Sequence, residues 1–330
     1  MKAIISFVFL CNLWTVSGQV IHKRSTFLLG SPFEITLVGK DTTEINQNID
    51  LAISELKRIE HVISDWIPTT PVSEVNRNAG IQPVVVPQEL IDLIERSIKI
   101  SKLTDGAFDV TYASMDKIWK FDGSMKAMPT EEEIKKSVAK VGYQNIVMDK
   151  NKRTVFLKLK GMKLGFGGIG QGYIADKIKE LLVSKGVVSG IINVSGDIST
   201  WGRQPNGEQW RIAIKNPLNK SKVFATFPLE DIAVETSGSY EKFVIFNGKK
   251  YSHIIDTRTG YPAQGVSSVT VFAKTTELAD ALATGIFVMG IEVGIDLVNQ
   301  LPGVGCIMVD DSGKIFSSKS IDLKKYTNEN

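Results

Sequence analysis

At 330 residues with 43% hydrophobic content, the chain is long enough to build one large or two smaller globular units around a proper core. A formal charge of +3, with basic residues scattered among acidic ones and no dense basic face, excludes nucleic acid as a partner. Low-complexity tracts and clear internal repeats are absent as well.

The N-terminus has the pattern of a secretory signal peptide over residues 1–18, with the mature chain running over 19–330. Lys2 supplies the positive start, Ala3 to Val16 is apolar, and Val16-Ser17-Gly18 offers small residues before a cut at Gln19. The apolar run is too short, and too interrupted by Asn12, for a span that takes about 20 residues. A buried N-terminal strand is the alternative. Cys11 raises the question of a lipid anchor, but Leu10 is bulky for the position before a lipidated cysteine. The expectation is an exported, periplasmic protein, soluble after cleavage, with membrane association as the alternative. Cleavage removes Cys11 and leaves Cys306, so no intrachain disulfide can form in the mature protein. Cys306 lies in the apolar run Gly305-Cys-Ile-Met-Val309 and is expected to act as a buried small hydrophobe. With only His22, His61 and His253 available, zinc chemistry is not expected.

Along the chain, Phe33 to Leu37 alternates apolar and polar residues as a strand does. Ile45, Ile49, Ala52, Ile53, Leu56, Ile59 and Ile63 then recur at helical spacing, predicting a helix over 43–64 that the Pro68–Pro71 region breaks. A second amphipathic helix covers 88–103, with Gly106 placed to end it. Thr130 and Glu133 have the spacing of a capping box for a short helix to Val141. Residues 145–149 and 153–159 predict a hairpin around Lys150-Asn151-Lys152. After a glycine-rich loop come a helix over 173–184 and a strand over 190–194. Further strands are expected near 210–214, 223–228, 244–245 and 267–273. One long helix over 276–301 then precedes a closing hairpin, 305–309 with 314–316. Helices and strands mix without strict alternation, and no linker divides the chain. This predicts an α+β unit rather than a doubly wound parallel sheet, either single and compact or two-lobed with the lobes meeting at the glycine loop.

Two segments carry the chemistry. Gly165, Gly167, Gly168, Gly170 and Gly172 crowd eight positions between a β-rich run and a helix. Glycine admits close backbone approach, and a following helix turns free N–H groups and its positive dipole end to the loop, an arrangement suited to phosphate. The stretch also fits the string G-x-G-x-x-G, but the acidic residue that a dinucleotide fold needs about 20 positions on is missing, the nearest being Asp197. A Rossmann turn and an ordinary glycine-rich connection remain the alternatives. Over a hundred residues later, Thr276, Asp280 and Thr284 share a helix face by i, i+4 spacing. Their hard oxygens suit Mg²⁺. Together these features point to nucleotide chemistry.

Other dense segments stand between and around them: Asp105-Gly-Ala-Phe-Asp109-Val-Thr111, Asn193-Val-Ser195-Gly196-Asp197, Thr236-Ser237-Gly238 and His253-Ile-Ile-Asp256-Thr-Arg258-Thr259-Gly260. In this order and spacing the chain resembles the ApbE-type FAD:protein FMN transferase family, from Leu29 to Cys306. Gly167 to Tyr173 is similar to the family's G-G-I-A-K-G-Y, Asn193 to Asp197 to its N-x-G-G-D, and Asp280 to Thr284 matches D-A-L-A-T in full. His253 to Gly260 matches H-I-I-D-P-R-T-G except at Thr257.

The resemblance implies a T-fold-like flavin transferase unit, in which Mg²⁺ is held by the Asp280 carboxylate, the Thr284 hydroxyl and the Gly168 carbonyl. It implies FAD contacts from Leu29, Trp66, Ala107, Phe108, Asp109, Gln171 and the backbone near Ile254, and at position 165. The family transfers the FMN half of FAD to a Thr or Ser hydroxyl of an acceptor protein, such as a membrane redox-pump subunit, and releases AMP. An FAD pyrophosphatase giving FMN and AMP, and a non-catalytic flavin-binding protein, are the alternatives. For the proton of the attacking hydroxyl the expected acceptor is His253, its ring oriented by Asp256. Several positions depart from the family pattern: Gly165 stands where an FAD-contacting Asp is common, Gln171 replaces a charged residue, Leu29 replaces Met, and Trp66 replaces Tyr.

Overall fold

The computed structural model describes residues 18–216, 219–239 and 242–326, without the side chains of 215, 216 and 219–222. The expected leader up to residue 17, Cys11 included, lies outside them. Strands β1 (Val20–Leu28) and β2 (Ser31–Gly39) form a hairpin around Leu29 and Gly30, whose φ angles of 55° and 69° suit a two-residue turn between twisted strands. Helix α1 (Thr42–Ile63) is capped by Asp41, which accepts the Glu44 N–H at 2.8 Å, and it buries the expected isoleucine face. The prolines that follow do more than break it: Pro71 opens a further helix, α2 (Pro71–Arg77), with Thr70 as its cap.

Then come β3 (Val84–Val85), α3 (Gln88–Leu103) and α4 (Glu131–Ser137). The Thr130–Glu133 capping box is formed, and α4 stops at Ser137 rather than Val141. β4 (Ile146–Asp149) and β5 (Thr154–Leu157) make the expected hairpin, with β3 on the other edge of β5. The glycine loop leads into α5 (Gly170–Ser184), then β6 (Gly190–Val194), β7 (Asp197–Trp201), β8 (Trp210–Asn216), β9 (Asn219–Leu229) and β10 (Ala233–Gly238). β11 (Phe243–Phe246) and β12 (Lys249–Ser252) pair on their own, and β13 (Ser268–Ala273) returns to the main sheet. The long helix expected next is two: α6 (Thr276–Met289) and α7 (Ile291–Asn299). They break at Gly290, whose φ of 82° lies outside the helical region. β14 (Gly305–Val309) and β15 (Ile315–Ser317) close the chain, Cys306 being free and buried, its thiol pushed up to about 11 by that burial.

The main sheet runs β1-β2-β6-β7-β10-β13-β14-β15 with every neighbour antiparallel, which makes this an α+β arrangement and removes any βαβ unit. The sheet's alternation sorts its two faces. Val269 and Val271 of β13 join Cys306 and Met308 of β14 under α6 and α7, while Val234, Phe272 and Ile307 face the other way, onto the β8–β9 hairpin. The largest core gathers α1, α3, α5, β2 and β6, and Ala281 of α6 reaches into it. α5 and α6 therefore lie side by side on one face of the sheet, and the functional site forms where the N-terminus of α5 meets the middle of α6.

Candidate active site

The N-terminal halves of α5 and α6 are locked together by hydrogen bonds from backbone N–H groups to side-chain carboxylates. The Asp176 carboxylate of α5 accepts the N–H groups of Thr276 and Glu277 at 2.9 and 2.8 Å, capping α6 from outside its own chain segment. In return the Gly172 N–H donates to Asp280 Oδ2 at 3.1 Å. A Cβ at Gly172 would lie 2.4 Å from the Thr276 carbonyl oxygen, so only glycine permits this approach. From α3, Arg96 adds a two-pronged ion pair to Glu277 at 2.6 and 2.9 Å.

This clamp places the three expected metal ligands on one wall of a cavity of about 400 Å³. A Cβ at Gly168 would meet the Thr284 hydroxyl at 3.0 Å, which measures how near the loop backbone comes to that side chain. Burial pushes the Asp280 carboxyl up to about 7, with Glu277 and Asp176 adding repulsion against the Gly172 hydrogen bond. A buried carboxylate beside a hydroxyl and a loop carbonyl is a donor set that fits Mg²⁺, which takes one or two carboxylates and completes its shell with water and substrate phosphate. Among the described residues no three His, Cys, Asp or Glu side chains converge as a metal cluster, so the substrate would supply the rest.

The other expected contacts divide. Ala107, Phe108, Asp109, Gln171, His253 and Ile254 line the cavity. The Asp109 carboxylate is engaged in its own turn, accepting from the Thr111 N–H and hydroxyl at 2.8 and 2.7 Å and from the Tyr143 N–H at 2.9 Å. Leu29 sits in the β1–β2 turn and packs on the core, and Trp66 is 79% exposed with the Lys117 ammonium 4.5 Å above its ring. Neither lines the cavity. The expected His253–Asp256 couple is not formed: both Asp256 oxygens accept from Arg258, at 2.9 Å each, while His253 Nδ1 lies 3.2 Å from the Lys242 carbonyl oxygen. Arg258 is two residues from Asp256 on the same turn, and its backbone N–H also donates to Asp256 Oδ1 at 2.9 Å, so the carboxylate shapes the turn.

Gly165 does not reach the cavity either, and the structure supplies the reason. A Cβ there would meet Ala113 at 2.8 Å and the Tyr112 ring at 3.0 Å, so no acidic side chain fits. Tyr112 holds that space, lines the cavity, and accepts the Gly167 N–H at 3.2 Å. Thr257, the departure within the histidine motif, donates to the Gly106 carbonyl at 2.6 Å, tying that turn to the Asp105–Asp109 turn. Sequence reasoning missed Tyr112 and also Glu235, a buried acid of β10 on the cavity wall. The signal for Glu235 was its place directly before Thr236-Ser237-Gly238, in a stretch where no strand was expected.

The chain is similar to known proteins over most of its length. A crystal structure of the ApbE protein of Thermotoga maritima superposes with a TM-score of 0.84 at 30% identity, covering 94% of this chain and 100% of that one. The apo flavinyl transferase ApbE of Pseudomonas stutzeri gives 0.81 at 26%, covering 92% and 96%. A Klebsiella pneumoniae protein named FAD:protein FMN transferase is 28% identical over 94% of this chain and 95% of its own. With the ApbE family model matching residues 29–308, the chain belongs to the ApbE family.

Proposed function

We propose that this protein transfers FMN from FAD to a Thr or Ser hydroxyl of an acceptor protein and releases AMP. The observation that carries the reading is the convergence of Gly168, Asp280 and Thr284 on one wall of a cavity that His253 also lines. The loop backbone and the N-terminus of α5 receive the pyrophosphate. Bound Mg²⁺ would neutralise pyrophosphate charge and polarise the phosphoryl group. The acceptor oxygen forms a bond to the FMN-side phosphorus, the bridging P–O bond breaks, and its electrons leave with AMP. His253, beside the Lys242 carbonyl and edge-on to Phe121 at 6.5 Å, lines the same cavity and would take the hydroxyl proton. Phosphoryl transfer depends chiefly on positioning, which the α5–α6 clamp supplies.

The leader-like residues 1–18 support action after export, in the periplasm, on an acceptor such as a membrane redox-pump subunit. The test incubates the mature protein with FAD, Mg²⁺ and an acceptor, then weighs the acceptor. Mass gain equal to FMN, abolished in Asp280→Ala, is expected. FAD consumed with no mass gain would make the protein a pyrophosphatase, and FAD bound but intact would make it a flavin carrier. Fractionation of cells producing the full chain should recover it, shortened at its N-terminus, outside the cytoplasm.

A further inference from the structure

β7 and β10 are antiparallel neighbours, with Ala233 opposite Ser199 and Val234 opposite Ile198. One more step in that register sets Glu235 opposite Asp197. Two like charges facing each other across a ladder destabilise a sheet. Val234 points to the β8–β9 side, so Glu235 points to the helix side, toward α6 and Asp280. Both acids are buried, at 4% exposure for Asp197 and 8% for Glu235, and both line the cavity. Each keeps one buried oxygen, Asp197 Oδ1 and Glu235 Oε2, with no hydrogen-bond partner among the described residues. The only hydrogen bond to Glu235 comes, among the described residues, from the Ser237 hydroxyl to Oε1 at 3.3 Å. No Lys or Arg is among the described residues lining the cavity.

An acid buried without a partner is costly, and here burial, followed by repulsion from Asp280, pushes both carboxyls well above the usual range, with Glu235 adding to the effect on Asp197. Whether or not such a carboxyl keeps its proton, its second oxygen still lacks a donor, and phosphate oxygens, which only accept, cannot supply one. A sugar hydroxyl both donates and accepts, so it satisfies the group in either state, and an acidic side chain on a ribose hydroxyl is a recurrent way to hold a nucleotide.

We propose that Asp197 and Glu235 form a sugar subsite, accepting hydrogen bonds from hydroxyls of the polyhydroxylated chain next to the pyrophosphate of FAD. The subsite rests on the FMN-transfer reading for the identity of the ligand. It fixes the sugar on the sheet side of the cavity while the glycine loop fixes the phosphates, so the dinucleotide is held at two points before its bridge is cleaved. FAD carries two such sugars, the ribose of the AMP half and the ribityl chain of the FMN half, and the experiment separates them.

ADP and FMN are titrated calorimetrically, with Mg²⁺, into the wild type, Glu235→Gln and Asp197→Asn, with melting temperatures recorded alongside. Gln and Asn keep the shape and replace one carboxyl oxygen with an NH₂ group that cannot accept. The subsite predicts that both variants bind one probe about tenfold more weakly or worse, and the other as the wild type does. Loss on ADP assigns the ribose, and 2′-deoxy-ADP or 3′-deoxy-ADP should then bind wild type and Glu235→Gln alike. Loss on FMN assigns the ribityl chain. Unchanged affinities, tighter binding, or an equal loss on both probes overturns the subsite, the last being what general damage to the cavity would produce. Wild type that binds neither FAD, ADP nor FMN overturns the subsite and the functional reading together. Wild type that binds them, beside variants indistinguishable from it, overturns the subsite alone.

Discussion

Replacing Gly172 with alanine is the sharpest probe of the clamp between α5 and α6. On an exposed helix this change stabilises by about 0.5–1 kcal/mol, because glycine has more backbone freedom to lose. Here the added Cβ would lie 2.4, 2.6 and 2.8 Å from the Thr276 oxygen, the Thr276 carbonyl carbon and the Glu277 nitrogen. All three are backbone atoms, so no side chain can swing away. Reaching ordinary contact near 3.4 Å requires α6 to shift by about 1 Å, an overpacking cost of about 1–3 kcal/mol. The same shift stretches the two Asp176 caps and the Gly172–Asp280 bond, each worth about 1 kcal/mol.

The expected net loss for Gly172→Ala is about 3–5 kcal/mol, a fall of roughly 6–15 °C in Tm for a chain of this size. Because Asp280 and Thr284 ride on α6, FAD cleavage should drop about a hundredfold even well below the melting temperature, the usual cost of a 1 Å misplacement. Thermal melts and FAD turnover with Mg²⁺ are the measurements. A variant with wild-type or higher Tm, or one that cleaves FAD normally, would refute the clamp as the device that sets the site.

Three other outcomes follow from the same geometry. The Asp280 carboxyl is raised to about 7 by burial, so the stability it contributes without metal is complete below its unfolded value of about 4 and is lost as pH rises through 7; Mg²⁺ needs the ionised form, so it should raise Tm much more at pH 8 than at pH 5. His253→Gln should slow FMN incorporation by about 10²–10⁴-fold with FAD affinity unchanged, and a wild-type rate with an unchanged pH profile would remove it as proton acceptor. Thr257→Val deletes the 2.6 Å bond to the Gly106 carbonyl and should lower Tm by a few degrees, for about 1 kcal/mol, whereas an unaltered melt would show the two turns to be independent.

How much of this the sequence disclosed depends on whether the information was local. The face of α1, the α4 capping box and the β4–β5 hairpin are written in short-range spacing, and they form as expected. The Asp280–Thr284 pair follows from helical periodicity alone. β1 escaped because it is an edge strand, mostly exposed, whose Ile-His-Lys-Arg-Ser-Thr run has no alternation to detect. The break at Gly290 escaped because apolar residues continue on helical spacing through Ile286, Met289, Val293 and Leu297, so the pattern hides a turn that only φ reveals. Asp176 reads as an ordinary acid on an amphipathic helix, since its partners are 100 and 101 residues away. The Asp256–His253 couple was a spacing argument, and it lost to the nearer Arg258.

The two glycine-loop departures have different physical standing. Gly165 is bound to Tyr112: the ring fills the volume an acidic side chain would need and returns a hydroxyl that accepts the Gly167 N–H. Burial pushes that phenol up to about 12, so it stays protonated, and with its oxygen turned to Gly167 its own hydrogen is available to the cavity it lines. A neutral donor thereby stands beside the phosphate cradle where an acid would have repelled the pyrophosphate. Gln171 is neutral too, and it lies at the N-terminus of α5, where the helix dipole already favours an anion. With no Lys or Arg among the described cavity-lining residues, the positive field on the substrate comes from the N-terminus of α5 and the loop N–H groups, and the proposed Mg²⁺ would supply the rest. FAD binding should therefore depend steeply on Mg²⁺, because without it the pyrophosphate meets the acids Asp197, Glu235 and Asp280 with only dipoles to offset them.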